Sequence, residues 1–128
     1  MRALLFNPWI YDFSAFDHWT RALNLLRLAS LLRQSGWELD FYDCLNRRSP
    51  DLMDFPPPVQ HRLNPYGCGH YYREEIPLPS ILEFMPRKYK RYGIPPGRVE
   101  ERLRTFQKPD VIILSSMMTY CYPGVFDA

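Results

Sequence analysis

Apolar and polar positions fall into regular periods at the two ends of this chain and lose them in the middle. Residues 2–7, Arg2-Ala3-Leu4-Leu5-Phe6-Asn7, form a short apolar run halted by Pro8, the length and punctuation of a buried strand. From Trp19 to Ser35, Ala22, Leu25, Leu26, Ala29 and Leu32 recur at helical spacing. Leu23, Leu28 and Leu31 widen that face, as in a helix with neighbours on several sides. Gly36 supplies the left-handed residue that commonly ends a helix. Trp37-Glu38-Leu39-Asp40-Phe41-Tyr42-Asp43 then alternates with the period of a strand. Strand, helix, glycine and strand in succession predict a right-handed βαβ unit, the seed of a parallel sheet.

Between Asn46 and Lys108 no period persists. Pro56-Pro57-Pro58, Pro65, Pro77, Pro79, Pro86 and Pro95-Pro96 each remove a backbone donor, which excludes long helices and central strands. A turn or two of helix fits Pro79 to Met85. Val99, Leu103 and Phe106 share a face, which predicts a second crossover helix over 99–106. Tyr66, Tyr71, Tyr72, Phe84, Tyr89 and Tyr92 are expected to hold the segment against the sheet, since a buried ring removes roughly 150–250 Å² from water. Val111-Ile112-Ile113-Leu114 is a continuous aliphatic run, a pattern that suits the interior of a sheet. Pro123-Gly124-Val125-Phe126-Asp127-Ala128 begins a helix, and its first turn is expected to continue in a longer protein. The fold class is therefore α/β: an open parallel sheet of order 2-1-3, strand 2–7 lying between strands 37–43 and 111–114. Three parts are expected within one domain: a βαβ unit (1–45), a proline-rich and aromatic-rich insertion (46–97), and a helix, third strand and helix start (98–128).

Composition narrows the function classes. The length of 128 residues, 46% hydrophobic and 23% charged, is that of one ordinary globular domain. Thirteen prolines and a 16% aromatic share explain the irregular middle. No apolar run approaches the roughly 18 residues of a membrane span, and Asn7-Pro8 comes too early for a signal peptide. Cys44, Cys68 and Cys121 are odd in number and widely spaced, so reduced thiols and a cytoplasmic location are expected, with no membrane. A net charge of +2 supplies no basic field for nucleic acid.

In open parallel sheets, ligands sit beyond the carboxyl ends of the strands where the order reverses. Here that places a candidate site on Asn7, Pro8 and Trp9 after the first strand and on Ser115, Ser116, Met117, Thr119 and Tyr120 after the third. The hydroxyls of Ser115, Ser116 and Thr119, with backbone N–H groups near a helix start, suit an anion or a nucleotide tail. Two plainer readings stand beside this one. The same hydroxyls can cap the next helix, and Trp9, Met117, Met118 and Tyr120 can simply fill the groove. No glycine-rich dinucleotide turn follows the first strand, and no phosphate-loop pattern occurs. Cys68-Gly69-His70 offers at most two metal ligands, and Gly67 and Gly69 read better as a turn. His18 and His61 stand alone, and Glu74-Glu75 reads as a solvated pair. Pro86-Arg87-Lys88-Tyr89-Lys90-Arg91-Tyr92-Gly93 mixes cations with tyrosines as single-strand binders do. A solvated loop anchored by its tyrosines is the reading adopted here. No catalytic or metal-binding residue is expected.

Several strings carry a family resemblance: Phe6-Asn7-Pro8-Trp9-Ile10-Tyr11-Asp12-Phe13, Ala29-Ser30-Leu31-Leu32-Arg33 with Gly36, Phe41-Tyr42-Asp43-Cys44, Tyr71-Tyr72-Arg73-Glu74-Glu75-Ile76, the 86–93 segment, and Ser116-Met117-Met118-Thr119-Tyr120 with Tyr122-Pro123-Gly124. Over nearly the whole chain they resemble the N-terminal part of a group of bacterial and archaeal radical S-adenosylmethionine proteins. The resemblance implies a flavodoxin-like, cobalamin-binding-like three-layer fold preceding, in cis, the barrel that carries the iron–sulfur cluster. It implies a cofactor-binding (cobalamin-like) accessory domain that does not itself perform the radical reaction. The alternative is a vestigial structural module that packs on the barrel and binds no small molecule. Two departures matter. The Asp-x-His-x-x-Gly string of cobalt-ligating domains is absent, so any cobalamin binds without a histidine ligand. The Cys-x-x-x-Cys-x-x-Cys string is absent too, so the 4Fe-4S cluster and S-adenosylmethionine belong to a parent protein beyond Ala128.

Overall fold

The structure is a computed structural model that describes residues 1–18, 20–54, 66–116, 118 and 121–128. The chain runs β1 (Arg2–Asn7), β2 (Ile10–Asp12), α1 (Leu23–Gln34), β3 (Glu38–Asp43), β4 (Arg73–Glu75), β5 (Lys90–Tyr92), α2 (Pro96–Leu103), β6 (Val111–Leu114) and α3 (Pro123–Asp127). Short 3-10 turns lie at Pro50–Leu52 and Ser80–Leu82.

β1, β3 and β6 form a parallel sheet with β1 in the middle. Its pairing with β3 runs from Arg2 opposite Glu38 to Asn7 opposite Asp43, and with β6 from Ala3 opposite Val111 to Phe6 opposite Leu114. Alternation along β1 sends its side chains to two different layers. Leu5 faces α1, where it meets Ala22, Leu25 and Ala29 together with Leu39 and Ile113. Leu4 and Phe6 face the other way, with Tyr42 and Cys44, onto Val99, Leu103 and Phe106. α1 starts at Leu23 rather than in the region of Trp19, which lies outside the described residues. It stops where expected. Gly36 has a φ of +82°, its N–H reaches the Arg33 carbonyl, and the Trp37 N–H reaches that of Leu32. These two bonds satisfy carbonyls that the helix end would leave unpaired. α2 begins at Pro96, three residues before the expected Val99, because proline is tolerated where the helix has no N–H partner to lose.

The middle of the chain is less irregular than its prolines suggest. β4 and β5 return to β2 and make a second, antiparallel sheet in the order β2-β5-β4. Ile10 lies opposite Tyr92, and Arg73 lies opposite the same residue on the other side. Tyr71, Tyr89, Tyr92 and Ile94 are buried and Tyr72 half-buried, as the aromatic content predicts. Tyr66 and Phe84 are not: they stand 82% and 76% exposed, so the rings are not used uniformly. Pro56-Pro57-Pro58, His61 and Pro65 lie outside the described residues.

The aliphatic run 111–114 also departs from its pattern. It forms a strand, yet the strand is at the sheet's edge, with Val111 40%, Ile112 59% and Leu114 38% exposed. Among the described residues, no helix is long and apolar enough to cross a membrane.

Candidate functional site

The loops after β1 and β6 come together, as the switch-point rule requires. Asn7 ends β1 fully buried, and its side-chain amide donates to Asp43 Oδ1 at 2.7 Å. The Asn7 side-chain oxygen Oδ1 has no hydrogen-bond partner among the described residues. Ser115 is buried beside it. Its N–H donates to the Phe6 carbonyl at 3.3 Å, and its hydroxyl accepts from the Asn24 amide at the start of α1. Ser116 turns outward, donating to the Met118 carbonyl at 2.5 Å. Neither described serine caps α3, whose N-terminus at Tyr122 carries no side-chain cap. Met117, Thr119 and Tyr120 lie outside the described residues.

Trp9 occupies the space between these loops. Its indole N–H donates to the Ile94 carbonyl at 2.5 Å, and its ring meets that of Phe6 edge-on at 6.0 Å between centroids. α3 closes down on the same residue. A Cβ on Gly124 would come within 2.1 Å of the Trp9 carbonyl oxygen, so only glycine permits this approach. The gap left among Asn7, Pro8, Trp9, Ser115, Ser116 and Cys121 has no room for a water molecule. His18 and His70 both lie against the Phe16 ring, at 5.0 and 4.9 Å between centroids.

An open cavity lies beyond the carboxyl end of β3, with a volume of about 360 Å³. Asp43 and Tyr42 reach it from opposite faces of the strand. Asp43 accepts from Asn7 and from the Leu45 N–H at 3.0 Å, yet burial holds its carboxyl above its ordinary pKa. The Tyr42 hydroxyl donates to Asp51 at 2.9 Å, and the Ser49 hydroxyl donates to the same carboxylate at 3.1 Å. Burial, then that carboxylate, pushes the Tyr42 phenol far above its ordinary pKa. Asp17 and Arg47 form a buried pair at 2.7 Å. Arg47 also donates to the Gly67 carbonyl at 2.6 Å, and Asp17 pairs through its backbone with Gly69. The pair thus ties the insertion to the start of α1. None of this stood out in the sequence, because these residues form no motif and meet only through the fold. Asp43 at a strand end and the adjacent Arg47-Arg48 were the available signals.

The basic segment 86–93 carries its own neutralisation. Arg91 pairs with Glu74 at 2.5 Å, directly opposite it across β4 and β5, and Lys88, just before β5, pairs with Glu75 at 2.8 Å. The two glutamates are therefore partners of the cations and not merely solvated. Arg87 sits 5.8 Å over the Phe13 ring, and Tyr89 and Tyr92 point inward. Cys44 and Cys121 are buried free thiols held above their ordinary pKa by burial, and Cys68 is half-buried. Among the described residues, no group of three or more His, Cys, Asp or Glu side chains is placed to hold a metal ion. Comparison with protein-family models, with curated proteins and with solved structures finds no match to this chain.

Proposed function

We propose that the chain is an accessory α/β domain that works by docking, its β6 flank packing against a second folded domain. The observation that carries this reading is β6 itself. Among the described residues no strand pairs with its outer edge, and Val111, Ile112 and Leu114 present aliphatic surface to water. Strands that end a sheet in water are ordinarily blunted by charge, proline or a bulge. Residues 111–114 carry none of these. A partner that supplies a strand to this edge and apolar side chains to its faces satisfies both needs.

The family resemblance supplies the partner: the radical S-adenosylmethionine barrel of a cytoplasmic parent protein, in cis, with the present chain as its flavodoxin-like companion. In this reading the reaction, the 4Fe-4S cluster and S-adenosylmethionine belong to the barrel, and nucleic acid has no part. Cobalamin is the second reading, favoured by the buried side-chain oxygen Oδ1 of Asn7, which has no partner among the described residues. It requires α3 and Trp9 to part.

Hydrogen exchange on the isolated chain and on the parent protein tests both. The amides of Val111 to Leu114 should exchange readily in the chain alone and be protected in the parent. Equal exchange in the two would sink the docking reading. Adding hydroxocobalamin should leave Asn7, Trp9 and Ser115 unchanged, and new protection there would move the assignment to the cofactor.

A further inference from the structure

We propose that the cavity beyond β3 is a binding site for a small phosphate ester with a ring-bearing body. Its volume of about 360 Å³ is that of a small-molecule pocket, which spans roughly 300–1,000 Å³. The charges lining it are divided unequally. Each acidic group is already satisfied by the protein: Asp17 by Arg47, Asp43 by Asn7 and the Leu45 N–H, and Asp51 by Tyr42 and Ser49. Two of the four cations are not. Arg48 from the loop after β3 and Arg102 from the last turn of α2 line the same cavity, with no carboxylate partner among the described residues. Arg21 lines it too, and stands 3.8 Å from an Asp17 carboxylate that is already committed to Arg47.

Guanidinium groups lining a cavity suit a phosphate, because their planar donor forks bond its oxygens in pairs. The walls add the second requirement. Phe41 is partly exposed on one side of the strand, and Phe106 packs edge-on against Tyr42 on the other, so the space is wider and more apolar than inorganic phosphate needs. A flat ring carried on a phosphate fills both parts. The site is separate from the β6 flank, so it neither depends on docking nor competes with it.

Calorimetric titration of the chain with adenosine 5′-monophosphate, ribose 5-phosphate, adenosine and inorganic phosphate tests this. The mononucleotide should bind most tightly, and its affinity should fall as salt is raised. The double variant Arg48→Ala/Arg102→Ala should weaken it at least about tenfold, as expected for lost charge-assisted contacts. Both side chains belong to exposed residues, so the variant should melt as the parent chain does. No heat from any probe at millimolar concentration would overturn the site. Undiminished binding by the variant would overturn the arginine assignment, and equal affinity for inorganic phosphate or for adenosine would overturn the ester.

Discussion

β4 and β6 are both short outer strands, and they meet water in opposite ways. β4 is Arg73-Glu74-Glu75, and its two glutamates are paired to Arg91 on β5 and to Lys88 just before it. β6 is Val111-Ile112-Ile113-Leu114, with no charge at all and an aliphatic surface left open. The first edge repels a further strand by desolvation cost, since any newcomer would have to strip water from charged groups. The second invites one. The small antiparallel sheet thus ends in charge at β4, whereas the parallel sheet ends in bare aliphatic side chains at β6. The aromatic-rich segment that looks least regular in sequence is the part that closes itself.

Trp9 is where the two sheets meet, and removing it is the strongest way to break the comparison. It leads out of β1 and into β2, bonds Ile94 after β5, touches Phe6 in the parallel sheet and lies under α3. Trp9→Ala should cost about 3–5 kcal/mol, the range for truncating a buried aromatic. Urea unfolding followed by circular dichroism measures it. If the sheets were independent bodies, the loss would be small and unfolding would split into two transitions. One cooperative transition at much lower urea is the expected result.

Alkali should sharpen the same contrast, because buried phenols crowd around the small sheet. Tyr11 is pushed up to about 12 by burial, then by its hydrogen bond to Asp127. Burial also raises Tyr71, Tyr89 and Tyr92, while on the parallel sheet Tyr42 is so placed. The fold holds these groups neutral, whereas the unfolded chain releases their protons near pH 10. Stability is therefore complete below about pH 10 and falls as pH rises toward 12, where Tyr11 itself ionises in the fold. Hydrogen exchange across that window should show β2 and β5 loosening before β1 and β3. Uniform loosening would mean that the aromatic cluster does not set the alkaline limit.

How far the sequence could be read follows from the reach of each signal. β1, α1, β3 and β6 are local facts, written in periods several residues long, and their boundaries agree with the pattern within a few residues. β2, β4 and β5 are three residues each, too short to show alternation, and they exist because Tyr92 pairs across to both Ile10 and Arg73. The topology placed Asn7, Pro8, Trp9, Ser115 and Ser116 together correctly as neighbours. Whether their groove is open depends on where one indole ring lies and on a glycine in α3 that allows backbone to touch backbone. Neither is a pattern. The Asp17–Arg47 pair spans 30 residues of sequence, and the cavity beside it draws on both faces of β3.

The smallest expected effect on stability is also the most discriminating for the open edge. Ile112 is 59% exposed in the isolated chain, so Ile112→Lys removes little buried surface and adds a charge that water already solvates. Its cost should lie within about 0.5 kcal/mol, as for an ordinary surface substitution. The melting curve of the chain should barely move, and its tendency to associate should fall. In the parent protein the same lysine would have to enter an apolar seam beside a paired strand, where an unpaired charge costs far more. Protease digestion of the parent should then release this domain faster in the variant than in the wild type. If the lysine leaves digestion of the parent unchanged, the β6 edge faces water there as well. The contrast between β4 and β6 would then be a matter of tolerance rather than of purpose.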